Sequence, residues 1–150
     1  MLNAVCPMLM IKIPLEILNL HDDGFHLLVE VVVYGQPFKA VLDTGASKTV
    51  FDKTILLELI PAEDLMTSDK LSTGLGTNSM ESFSVNITGF MIGKFQISDL
   101  EATVLDLSSI NHAYETMELQ RVIGVIGGDI LMKYKAIIDY EKLTLRLLEA

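Results

Sequence analysis

The chain has 150 residues, 50% of them apolar, with 11 basic and 20 acidic side chains and a formal net charge of −9. A chain of that length buries roughly 70% of the surface its unfolded form exposes, enough for one domain without a staple, and a single cysteine, Cys6, excludes an internal disulfide. The acidic balance argues against nucleic acid as a partner, since that affinity comes from clustered Lys and Arg; without paired cysteines or a His-x-x-His spacing, no structural zinc, other metal or cofactor is expected.

In chain order, residues 1–10 read as an apolar N-terminal extension. They lack a preceding basic residue and a small-x-small cleavage site, so they are a poor secretory signal, and a cytoplasmic location is expected. No run reaches the ~18 unbroken apolar residues of a membrane span. Ile11, Ile13, Leu15 and Ile17 alternate with Lys12, Pro14, Glu16 and Leu18, the period of two of a half-buried strand. His21-Asp22-Asp23-Gly24 is an expected turn, its Asp-Gly supplying positive φ, and residues 25–34 follow as a long β-branched strand. Gly35-Gln36-Pro37 marks the next turn. Residues 38–42 form a third strand that delivers Asp43-Thr44-Gly45-Ala46-Ser47 at its end.

Asp52 is placed to cap a short, peripheral helix over residues 53–60 that Pro61 stops. Between residues 66 and 95, strand-like runs are punctuated by Gly74, Gly76, Gly89 and Gly93, a pattern of hairpins. Residues 100–105 return to a strand, and Ser108 or Ser109 caps a helix running to Leu119. Residues 121–127 are a strand ending in glycines, residues 128–134 make one or two helical turns, and residues 136–140 and 143–148 form a hairpin about Glu141-Lys142. The fold class is all-β, mainly antiparallel, with two or three short helices, in a single domain spanning 1–150. Residues 40–45 are faintly echoed by residues 102–107, but no glycine follows Asp106 to make a tight turn, which discounts it as a second catalytic acid.

The informative motif is Val41-Leu42-Asp43-Thr44-Gly45-Ala46-Ser47. Two apolar residues place the strand in the core and draw Asp43 to the edge of a low-dielectric interior, where an ionised carboxylate needs hydrogen bonds. Gly45 permits a sharp turn and offers its N–H to that carboxylate. Alone, the Asp-Thr-Gly triplet is what an Asx-turn at a strand end looks like. About 80 residues on, Val125-Ile126-Gly127 leads through Gly128-Asp129 into a short helix. In this order, the apolar-apolar-Asp-Thr-Gly element, a Gly-containing hairpin and apolar-apolar-Gly before a helix resemble the retropepsin-like aspartic proteases, over roughly residues 25–147.

That resemblance implies a retropepsin-like closed barrel, the acid-protease fold, supplying half of an active site. Asp43 matches the catalytic aspartate, Thr44 the residue that grips the partner loop across a dimer axis, and Gly45 the glycine beside substrate, with Ala46 and Ser47 completing the loop. Gly74, Leu75 and Gly76 match a flap tip within a candidate flap over residues 69–82, and Val125, Ile126 and Gly127 match the segment crossing behind the catalytic loop. With one Asp-Thr-Gly per chain, a catalytic pair requires a homodimer acting on a peptide or protein substrate. Retroviral members carry an acidic residue where Ser47 stands and an arginine where Gly128 stands; Asp-Thr-Gly-Ala-Ser looks like cellular and bacterial members instead. Residues 106–121 are an additional loop or helix segment, placed to cover the cleft or to replace dimer contacts. The alternative is a non-catalytic peptide-binding or assembly module on the same framework.

Other candidates read as structural. His21 and His26 bracket Asp22 and Asp23 in what looks like a solvated loop, and His112 reads as a surface residue. Gly74-Leu75-Gly76 is too short for a phosphate loop. Asp139 reads as a hairpin residue, and the eight methionines as fillers of core gaps.

Overall fold

Alternating and β-branched runs put most of the chain into strands, and one of those runs organises the rest. In this computed structural model, which describes residues 9–67 and 81–149, β2 (Phe25–Val33) turns Leu27, Val29, Val31 and Val33 into the main core while Leu28 faces a second, smaller cluster. Around Leu27 to Val29 both faces of β2 are covered, where its sequence is continuous in apolar residues, while Glu30 remains exposed. The candidate flap tip, Gly74, Leu75 and Gly76, and Cys6 lie outside the described residues.

β1 (Met10–Asn19) precedes it and serves two partners: Met10 to Pro14 pair with the C-terminal strand, and Leu15 to Asn19 with β2. The change of partner breaks the simple alternation. Ile13 and Leu15 enter the core, but Ile17 is 38% exposed, and Leu18 and Leu20 turn to the second cluster. The expected turn at residues 21–24 is a short 3-10 turn, with Gly24 at φ 93°. The following turn falls one residue earlier than expected. Tyr34 (φ 50°) and Gly35 (φ 77°) are its two central residues, as a primed hairpin turn requires, and Gln36 and Pro37 already belong to β3 (Gln36–Leu42), with Pro37 opposite Val32.

β4 (Val50–Asp52) and a two-residue β5 (Met66–Thr67) lead to the long hairpin of β6 (Phe83–Ile92) and β7 (Phe95–Leu105). The strand order is β5-β6-β7-β4-β8-β3-β2-β1-β10-β9, where β8 is Gly124–Ile126, β9 Ile137–Asp139 and β10 Thr144–Leu148. Pairing of Val31 with Ile92 and of Val32 with Met91 joins β2 to β6, closing β6, β7, β4, β8, β3 and β2 into a six-stranded barrel. Most pairs are antiparallel; β3 with β8 and β4 with β7 are parallel. Phe51 and Phe90 meet edge to face in the barrel interior, centroids 5.6 Å apart.

Three short helices decorate the barrel. α1 (Lys53–Leu56) is one turn, shorter than the expected 53–60, and it is not peripheral: Ile55 and Leu56 are fully buried. Asp52 caps it as expected, taking the Ile55 N–H at 3.0 Å on one carboxylate oxygen, and its other oxygen takes the Leu107 N–H at 2.8 Å. α2 (Ser108–Thr116) starts where expected, but the capping group is the Asp106 carboxylate, which accepts the Ser108 N–H at 2.9 Å, and not a serine. Hydrogen bonding from Ser108 holds the Asp106 carboxyl below the usual range. The faint echo of the Asp43 motif is thus a helix start. Tyr114 and Ile110 seat α2 on Leu20, Leu28, Val41 and Val122, outside β2 and β3.

α3 (Gly128–Lys133) and the β9–β10 hairpin follow, with Asp139 accepting the Glu141 and Lys142 N–H groups at 2.9 Å, a structural role as read from the sequence. The described methionines do not fill the core: Met10, Met66, Met117 and Met132 are exposed, Met132 by 83%, and Met91 is half-buried. Among the described residues, no helix is long and apolar enough to cross a membrane.

Removing the Asp52 carboxyl strands two buried N–H groups at once. Asp52→Ala is expected to lower stability by about 2–3 kcal/mol in urea unfolding, and Asp52→Asn by less. An unchanged urea midpoint for Asp52→Ala would contradict this role.

Candidate active site

Because β3 and β8 are parallel and end in register at Leu42 and Ile126, two loops leave the barrel at the same end. The Asp43 N–H continues the ladder by donating to the Ile126 carbonyl at 3.0 Å. The chain then turns. The Gly45 N–H donates to Asp43 Oδ1 at 2.8 Å and the Ala46 N–H to the Asp43 carbonyl at 3.2 Å, an Asx-type turn that fixes the carboxylate. Sequence reading placed Asp43 at the edge of a low-dielectric interior. In the single chain it is exposed, together with Thr44, Gly45, Ser47 and Lys48, while Ala46 is half-buried.

The second loop lies directly behind the first. A Cβ on Gly127 would fall 2.7 Å from the Ala46 oxygen and from the carbonyl carbon and oxygen of Lys48, so only glycine fits without backbone movement. The Gly128 N–H donates to the Ala46 carbonyl at 2.7 Å and the Asp129 N–H to the Ser47 carbonyl at 3.2 Å. Val125 and Ile126 run between β3 and β4, Val125 opposite both Val41 and Val50. Thus Asp43, Thr44, Gly45, Ala46, Ser47, Val125, Ile126 and Gly127 form one contiguous assembly.

Sequence reading missed the group that ties this assembly together. The Thr49 N–H donates to Asp129 Oδ2 at 3.0 Å, and the Thr49 hydroxyl donates to Asp129 Oδ1 at 2.8 Å while accepting the Gly127 N–H at 3.1 Å. Asp129 Oδ1 also takes the Ile130 N–H at 2.8 Å, a favourable site for an anion at a helix start. Thr49 is only 1% exposed. This bracing involves no cation, and Ser47 and Gly128 bring no charge to it. The available signal was an Asp opening α3 and a Thr in the Asp43 loop, but nothing local links them.

The histidines divide. His21 and His112 are exposed, as a loop and a surface residue. His26 lies on β2, within the strand expected over residues 25–34, but it is half-buried and not solvated, its Nδ1 hydrogen-bonded to the Tyr114 hydroxyl at 2.5 Å. Burial pushes the Tyr114 phenol above its usual range. Continuing the Leu27–Leu42 register by one step places His26 opposite Asp43. Among the described residues, no three His, Cys, Asp or Glu side chains are grouped to hold a metal ion.

Residues 29–130, from β2 through the start of α3, match a family model described as aspartyl protease. No curated protein matches the chain. Solved structures with the same fold include a retropepsin-like aspartic protease from Rickettsia conorii, 20% identical with a TM-score of 0.62 over 100% of both chains. The retroviral protease-like domain of Ddi1 from Leishmania major is 17% identical with a TM-score of 0.53, over 83% of this chain and 92% of that one. EIAV protease, in complex with the inhibitor HBY-793, is 21% identical with a TM-score of 0.50, over 75% and 90%. At these identities the likeness shows the fold, a retropepsin-like closed barrel, as the sequence motifs implied.

Adjacent glycines separate crowding from helix propensity. Gly127→Ala is expected to cost about 1–3 kcal/mol. At Gly128, a Cβ would meet its nearest atom at an ordinary 3.5 Å, so Gly128→Ala is expected to stay within about 0.5 kcal/mol of the parent. Equal thermal unfolding of the two variants would contradict the close approach at Gly127.

Proposed function

The chain belongs to the aspartyl protease family, and from that membership we propose that it is an endopeptidase whose active site forms when two chains bring their Asp43 side chains together across a two-fold axis. One observation carries this reading: the carboxylate of Asp43 is exposed and is fixed at the end of β3 by a loop held from behind. The other acidic groups near that end are engaged elsewhere, Asp129 with Thr49, Asp52 with Ile55 and Leu107, and Asp106 with Ser108. Half a catalytic pair is present, and a second copy supplies the other half.

Peptide hydrolysis by this chemistry needs a base and an acid in the same step. Two carboxylates about 3 Å apart cannot both ionise and share one proton, a coupling well established for aspartic proteases and one that belongs to the pair, not to either residue. The ionised Asp43 takes a proton from a bound water as its oxygen attacks the scissile carbonyl carbon. The protonated Asp43 donates to the carbonyl oxygen, which becomes a hydroxyl of the tetrahedral intermediate. The C–N bond then breaks as the nitrogen takes the proton held by the first carboxyl and leaves as an amine. A hydroxyl of the intermediate returns its proton to the second carboxylate and the carbonyl re-forms as a carboxylic acid, so that the pair again holds one proton.

Gly45, without a side chain, leaves room for an extended substrate backbone. Thr44, exposed at the loop tip, is the group assigned to grip the partner loop, and residues 74–76 are assigned to the flap that excludes water.

Asp43→Asn is expected to lose at least about a thousandfold in peptide cleavage while keeping its circular dichroism and urea midpoint. Retained turnover in the folded variant would refute the assignment. For the parent enzyme, kcat/KM is expected to peak below neutrality, because the pair works with one proton between its two members; a flat profile from about pH 4 to 8 would contradict that. A monomer in sedimentation with no affinity for a statine-type peptide would favour the binding-module reading.

A further inference from the structure

The active-site loop carries two charges, Asp43 and Lys48, and both side chains are exposed. The Lys48 backbone is held on each side. The Ser47 carbonyl accepts from the Asp129 N–H at 3.2 Å, the Thr49 N–H donates to Asp129 at 3.0 Å, and the Lys48 carbonyl lies against Gly127. Gly127 and the start of α3 fill the inner side of the loop, and Lys48 is exposed, as are Asp43, Thr44, Gly45 and Ser47. The ion pairs among the described residues are Lys39 with Glu16 and Arg121 with Glu58; Lys48 takes part in neither. A chain of net charge −9 repels acidic peptides at long range, so an exposed ammonium carried on the Asp43 loop works against the general field at one defined place.

We propose that Lys48 is a specificity-determining residue, and that the preferred substrates are peptides carrying an Asp or Glu side chain close to the scissile bond. The inference rests on the endopeptidase reading above. Two-fold symmetry gives it a second, stricter consequence. Two Lys48 side chains flank the two Asp43 side chains, so the acidic preference falls at matching distances on both sides of the cleaved bond. Each ammonium is exposed, so solvent limits the effect to roughly threefold to tenfold per position, and added salt reduces it.

The test is cleavage of a randomised peptide library at about pH 6, where Asp and Glu are ionised, with cut sites read by mass spectrometry for the parent, Lys48→Ala and Lys48→Glu. The parent is expected to enrich Asp and Glu over Asn and Gln at paired positions. Lys48→Ala levels that enrichment, and Lys48→Glu replaces it with Lys and Arg at the same positions. A purely structural role for Lys48 changes overall rate but not this pattern. Cleavage by the parent without acidic enrichment, or an unaltered preference in Lys48→Glu, overturns the assignment of Lys48 and leaves the endopeptidase reading standing. Absence of any cleavage by the parent overturns both.

Discussion

The hydrogen bonds from Thr49 to Asp129, with Gly127 closed against the Lys48 carbonyl, are the contact on which the site depends. They join segments 80 residues apart and hold the Asp43 loop from behind. An ionised acceptor with hydroxyl and amide donors makes a strong hydrogen-bonded pair without the cost of removing a second charge from water. The same small region satisfies the Gly127, Gly128 and Asp129 N–H groups, which would otherwise be unpaired behind the loop. Rigidity behind the loop and exposure in front of it are two sides of one arrangement.

Much of the fold is legible in the sequence because it is written in local patterns. Alternation gave β1, two strand-like runs about Glu141-Lys142 gave the β9–β10 hairpin, a β-branched run gave β2, and Asp52 announced a helix start. The Asp43 motif and the distant Val125-Ile126-Gly127 together pointed to the barrel and to two loops meeting at one end. What escaped the sequence depends on partners that local pattern cannot show. Ile17 departs from the buried face because β1 changes neighbours at Leu15. The turn at Tyr34-Gly35 is displaced because Pro37 is accommodated within a strand. His26 is half-buried because α2, more than 80 residues on, lays Tyr114 over it. Thr49 and Asp129 were invisible as a pair for the same reason: each is ordinary where it stands, and only the crossing of two loops brings them together.

Within one chain, the acidic groups divide by task. Asp52, Asp106, Asp129 and Asp139 spend their oxygens on backbone N–H groups at helix starts and turns. Asp43 accepts one such bond, from Gly45, and keeps the rest of its carboxylate open. An aspartate held firmly but left accessible is what the proposed catalytic pair requires, and on that proposal one barrel is a complete fold but half a site. Lys48 is exposed on the same loop, so under the proposal geometry and substrate choice come from one loop.

The central claim, that catalysis needs Asp43 from two chains at once, is tested most directly by subunit mixing. Parent and Asp43→Asn chains are combined, unfolded and refolded together at a fixed total concentration, and peptide cleavage is followed against the parent fraction. If both carboxylates of the pair are required, activity falls as the square of that fraction. A linear fall would mean that each chain works alone, and the shared-site account would be wrong.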